Sequence, residues 1–146
     1  MKTILFMLLL GSGLFAGNAL KEAQKIGAET DYATAITKAQ KENKILVMVI
    51  VQENCRWCER LIDRTLSEAS VKKELENYVT LIVDQDDTYP NIFKEDLFPA
   101  IFYIDAKSQK SIYTDIGYVD EKGFLSNLAE SSETQEFLFE DGKSLE

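Results

Sequence analysis

Residues 44–61, "KILVMVIVQENCRWCERL", decide how this chain folds. Every position from Ile45 to Val51 is apolar, and β-branched residues dominate. The run is too short for a buried helix and suits a central strand covered on both faces, as in a parallel or mixed sheet. The loop "QEN" follows, then Cys55 and Cys58, with Arg56 and Trp57 between them. Leu61, Ile62 and Leu66 recur at helical spacing, so Cys55 is expected at or just before a helix N-terminus.

On the N-terminal side, "DYATAITKAQKENK" (31–44) reads as an amphipathic helix. Tyr32, Ala35, Ile36 and Ala39 form its apolar stripe, and Thr30 or Asp31 is its cap. On the C-terminal side, "SEASVKKELENY" (67–78) predicts a helix opened by Ser67 or Ser70, and "YVTLIVDQD" (78–86) a second strand. "YPNIFKEDL" (89–97) is short and helix-like after Pro90. Ala100 to Asp105 and Ser111 to Ile116 flank a polar turn and read as a hairpin. "DEKGFLSNLAESS" (120–132) predicts a last helix, capped by Asp120, with Phe124, Leu125 and Leu128 facing inward. This order predicts an α/β sandwich, a central mixed sheet with helices on both faces.

The bulk properties narrow the function classes. At 146 residues the chain is long enough for one domain with a real core. The net charge of −9 excludes an evident basic patch for nucleic acid and argues against anionic membranes. The sequence contains no histidine, which removes the commonest general base and metal ligand.

Residues 1–19 have the layout of a secretory leader: Lys2, an apolar stretch from Ile4 to Leu10, then Gly, Ser and Ala. Cleavage after Ala16 and after Ala19 both fit. The apolar run, broken at Gly11, is short for a span of roughly 20 residues; an uncleaved anchor is the alternative. The expected organisation is a leader (1–19), one domain (20–131) and an acidic tail (132–146). Export, into a bacterial periplasm, would place the cysteines in an oxidising compartment.

Cys55 and Cys58 are the only cysteines. A helix N-terminus favours a thiolate, and the thiolate is the attacking species. Cys58, one turn on, is close enough to resolve a mixed disulfide formed by Cys55. Arg56 adds a nearby cation; Glu53 and the acidic balance of the chain oppose it. A structural staple would close too small a loop to stabilise much. A zinc site wants about four ligands, which two cysteines without histidine do not supply. No metal or cofactor is expected. Trp57 either shields the helix start or contacts substrate.

Together these features resemble the thioredoxin superfamily from about Tyr32 to Ala129. The residues that carry the resemblance are "ILVMVIVQENCRWC", "YVTLIVDQD", "FPAIFYID" and "DIGY". They look most like the exported thioredoxin-related, or thiol:disulfide interchange, proteins. The resemblance implies a three-layer thioredoxin-like sandwich and a redox-active pair with Cys55 as nucleophile and Cys58 as resolving thiol. Pro99 matches the family's cis-proline, which would leave the Phe98 backbone free to pair with an extended substrate. Gly117 matches the glycine near the same groove.

There are departures. Members typically carry a buried Asp in the strand before the cysteines and a neighbouring Lys; the matching positions here are Val49 and Thr80. Arg56-Trp57 replaces Gly-Pro. Proton handling must therefore differ, through Glu53, Glu59 or water. The expected activity is an exported protein-disulfide reductase acting on disulfide-containing exported proteins, with a membrane thiol-transfer protein as electron donor. An oxidase or isomerase, and a non-catalytic binding module on the same fold, are the alternatives.

Overall fold

The computed structural model describes residues 18–140. Most of the expected leader and the last residues of the chain lie outside them. A four-stranded mixed sheet forms the middle layer, in the order β2-β1-β3-β4. Strand β1 (Leu46–Val51) is fully buried, as its unbroken apolar run requires. It pairs in parallel with β2 (Val79–Asp84) and antiparallel with β3 (Ala100–Asp105). Strand β4 (Lys110–Ile116) forms a hairpin with β3 and closes the edge.

Period-2 alternation divides the strand side chains between two cores. Val47, Val49, Val51, Ile82, Ile101 and Tyr103 face one layer of helices. That layer holds α1 (Asn18–Ile26), α3 (Arg56–Leu61), α4 (Ala69–Leu75) and α5 (Glu121–Glu140). Leu46, Met48, Ile50, Leu81, Val83 and Phe102 face α2 (Tyr32–Glu42) and the 3₁₀ turn Asn91–Phe93 on the opposite side. The three-layer α/β sandwich expected from the sequence is thus the observed architecture.

Three local features differ from the sequence reading. Helix α1 was not anticipated; its apolar stripe is carried mainly by Ala19 and Ala23, which signal weakly by hydrophobicity alone. Neither Ser67 nor Ser70 caps α4. The cap position is Glu68, without a side-chain hydrogen bond, and the Ser70 hydroxyl instead meets Glu121 on α5. Leu125 is only partly buried, whereas Phe124 and Leu128 are fully so. Helix α2 does begin at Asp31, whose carboxylate accepts from the Thr34 amide at 2.7 Å. The stretch after Ser131 continues α5, and Gln135 donates to Asp105 at the end of β3.

Candidate active site

Three strand ends meet at one edge of the sheet. Ile50 pairs with Ala100, and Ala100 with Ile116. The register therefore brings Pro99 and Gly117 level with the end of β1, four residues before Cys55. The Gly117 amide donates to the Pro99 carbonyl at 2.8 Å. Gly117 has φ +98, a backbone conformation that side chains with a Cβ rarely adopt. The Phe98–Pro99 peptide bond is cis. Pro99 is buried, and Phe98 is partly buried against both cores.

Cys55 and Cys58 are joined in a disulfide, with their Cα atoms 5.2 Å apart. Asn54, in the left-handed conformation, turns the chain out of β1. Cys55 is the N-cap of α3, and its Sγ accepts from the Cys58 amide at 3.2 Å. The two sulfurs are unequal. Cys55 is partly exposed and Cys58 is 3% exposed, packed with Val49 and Leu61. Helix α3 runs on into a π turn (Ile62–Leu66), whose buried Thr65 hydroxyl donates to the Val119 carbonyl at 2.7 Å. That bond ties the helix to the loop that carries Tyr118.

The residues between and around the cysteines form an exposed surface. Trp57 is 49% exposed, with its ring centroid 6.0 Å from that of Tyr118. Arg56 lies 5.9 Å from the Trp57 centroid. Arg60 lies over both rings, at 5.5 Å from Trp57 and 5.0 Å from Tyr118. Glu53 is exposed in the loop before Cys55. On the β2 side, burial and the neighbouring Asp86, Asp87 and Glu53 charges raise the Asp84 carboxyl above the ordinary aspartate range, against a hydrogen bond from the Asp86 amide.

Sequence reasoning missed Glu22. A cavity of about 10 Å³ lies behind the disulfide, lined by Glu22, Val51, Gln52, Cys55, Cys58 and Glu59. Glu59 is exposed, whereas Glu22 is buried at 8% exposure. Glu22 Oε2 sits 2.8 Å from Lys25 Nζ in an ion pair and has no hydrogen-bond partner among the described residues. Lys25 also reaches Asp63 at 3.0 Å, and the two carboxylates hold its ammonium above the ordinary lysine range. Val49 is fully buried in the core that contains Cys58. The buried carboxylate near the pair thus comes from α1 rather than from β1. The sequence carries only a faint pattern for it, one too weak to read: Ala19, Glu22, Ala23 and Ile26 share one helical face, and Glu22 is the single charge on it.

A thioredoxin-like family model matches residues 27–106, more than half of the chain. The chain belongs to the thioredoxin-like family. No curated protein matches the sequence significantly. Solved structures share the fold at low identity. A thioredoxin from Thermus thermophilus is 20% identical, with TM-score 0.62 over 70% of this chain and 85% of its own. The Neisseria meningitidis DsbD C-terminal domain, in its oxidised form, is 19% identical, with TM-score 0.56 over 71% of this chain and 98% of its own. The periplasmic thioredoxin SoxS from Paracoccus pantotrophus, in its reduced form, is 14% identical, with TM-score 0.52 over 63% and 99%. Among the described residues of this thioredoxin-like protein, no helix is long and apolar enough to cross a membrane, and no group of three or more His, Cys, Asp or Glu side chains could hold a metal.

Proposed function

We propose that this protein is an exported thiol–disulfide oxidoreductase that reduces protein disulfides. The observation that carries the reading is the unequal sulfur pair at the start of α3, beside the edge formed by Pro99 and Gly117. In the reduced protein, the Cys55 thiolate would be held by the Cys58 amide and the helix N-terminus. It attacks a client disulfide, forming a Cys55–client bond and releasing one client thiolate. Cys58 then loses its proton and attacks Cys55 Sγ. The Cys55–Cys58 bond forms, the second client thiolate leaves, and the client has gained the two electrons that the pair has lost. A membrane thiol-transfer protein returns the pair to its dithiol form by the same exchange.

Phe98, Pro99 and Gly117 are assigned to substrate binding. The chain just before Pro99 offers backbone groups to an extended client segment, a short added strand. Arg56, Trp57 and Glu53 tune or shield the exposed sulfur. Glu22 takes the Cys58 proton during resolution, across a cavity with room for one water. Export rests on the leader-like residues 1–19, and the likeness to a periplasmic thioredoxin and to a DsbD domain is in keeping with it.

Insulin reduction tests the activity. Cys55→Ser should abolish it, and Cys58→Ser should accumulate mixed disulfides with exported clients. A wild type that neither reduces insulin nor traps a client would favour a binding module. A pair potential near the strongly oxidising end, about −120 mV, would reverse the assigned direction.

A further inference from the structure

The chain contains three arginines, Arg56, Arg60 and Arg64, and the fold places all of them on one face beside the disulfide. They recur every four residues along α3 and its π turn, and all are exposed. With Glu59, Asp63 and Tyr118 they line one open groove of about 600 Å³. Among the described residues none of the three forms an ion pair, whereas Asp63 is already paired with Lys25. The groove therefore presents three guanidinium groups against one uncommitted carboxylate, in a chain whose net charge is −9. Elsewhere the chain places its cations as lysine. A guanidinium, unlike an ammonium, binds carboxylates through a planar fork and stacks on aromatic rings. Here Arg60 is already positioned over Trp57 and Tyr118.

We propose that this groove docks an acidic segment of the partner protein, with Asp or Glu side chains flanking the cysteine that exchanges with Cys55. The proposal rests on the thiol–disulfide reading above and adds its partner chemistry. The arginine row spans eight residue steps, about 12 Å of helix, enough for a short acidic stretch and too little for a long polyanion. The opposite flank of the disulfide carries Glu53, Asp84, Asp86 and Asp87, so the charge around Cys55 is asymmetric. An acidic segment is drawn to the α3 side and repelled from the β2 side, which fixes the direction in which a partner lies across the pair.

Trp57 is the chain's single tryptophan, and Arg60 of the groove lies 5.5 Å from its ring centroid, so its fluorescence is a probe of docking. The oxidised wild type is titrated with cysteine-free glutamate-rich, serine-rich and lysine-rich octapeptides. The glutamate-rich peptide should give a saturable change that weakens at about 0.3 M salt; the other two should give none. Arg60→Gln with Arg64→Gln should weaken that binding by about fivefold to tenfold, with the melting temperature unchanged. Equal responses to acidic and basic peptides, or unchanged affinity in the double variant, would overturn the proposal. So would equally tight binding of a short oligonucleotide, because the groove would then read phosphate charge and not carboxylates. The ligand contains no sulfur, so a failed titration leaves the exchange chemistry standing. Conversely, a protein inactive on insulin can still pass this test.

Discussion

In the proposed mechanism, the resolving step turns on one residue that no motif announced. Cys58 is buried beside Val49, so its proton has no carboxylate on β1 to go to. Glu22 lines the same small cavity from α1, with one carboxylate oxygen 2.8 Å from Lys25 Nζ. General-base assistance of this kind is worth about a hundredfold or more. Glu22→Gln should therefore slow release of client from the Cys55 mixed disulfide by about tenfold to a hundredfold. Initial attack by Cys55 should keep its rate. Single-turnover kinetics across pH separate the two steps, and the variant's release should depend more steeply on pH. Equal release rates would remove Glu22 from the mechanism. Cys55 and Cys58 were legible in the sequence because their chemistry is written in their identity and spacing. Glu22 was not, because a glutamate acquires meaning only from burial, and its burial comes from a helix that packs through two alanines.

At the scale of elements, strands and long amphipathic helices were readable because their periodicity is strong. β1 is apolar throughout, and α2 carries both its stripe and its cap. The start of α4 was less readable, since it has no side-chain cap to mark it. The joint between the hairpin and α5 lay beyond sequence reasoning altogether. Asp105, at the end of β3, accepts from the Ser108 amide and hydroxyl at 2.8 and 2.6 Å and from Gln135 on α5 at 2.9 Å. Burial pushes its carboxyl up, but the hydrogen bonds from Ser108 and Gln135 outweigh that and leave it below the ordinary aspartate range. A carboxyl depressed in the folded state stabilises above its unfolded value, near pH 4, and that contribution fades as pH falls further. Asp105→Asn should thus cost about 1 to 2 kcal/mol at neutral pH, the worth of charged hydrogen bonds in a turn. The gap from wild type should close below about pH 4. Urea melts at pH 7 and pH 3 check the sign; a gap that widens in acid would refute the assignment.

For the whole molecule, sheet order converts distant sequence into one edge. Pro99 and Gly117 reach the cysteine pair only because β3 lies beside β1 and β4 beside β3. The helical layer over that core includes α1, and this bears on where the mature chain should begin if residues 1–19 act as the proposed leader. Both expected cleavage points lie close to the start of α1 at Asn18. A cut after Ala19 would remove the first two described residues of α1, among them a side chain that is 4% exposed in the core containing Cys58 and Glu22's neighbour Ala23. A cut after Ala16 keeps every described residue of α1. If the proposed leader is cut, the mature chain should therefore start at residue 17, as intact-mass measurement of the secreted fraction would report. A chain started at Leu20 should melt about 4 °C lower, corresponding to about 1 kcal/mol for the lost alanine contact and the shortened helix. Because α1 carries Glu22, the shorter chain should also resolve mixed disulfides more slowly. If both chains melt together and turn over alike, the first two described residues of α1 contribute nothing to the site, and the choice between the two cuts loses its structural basis.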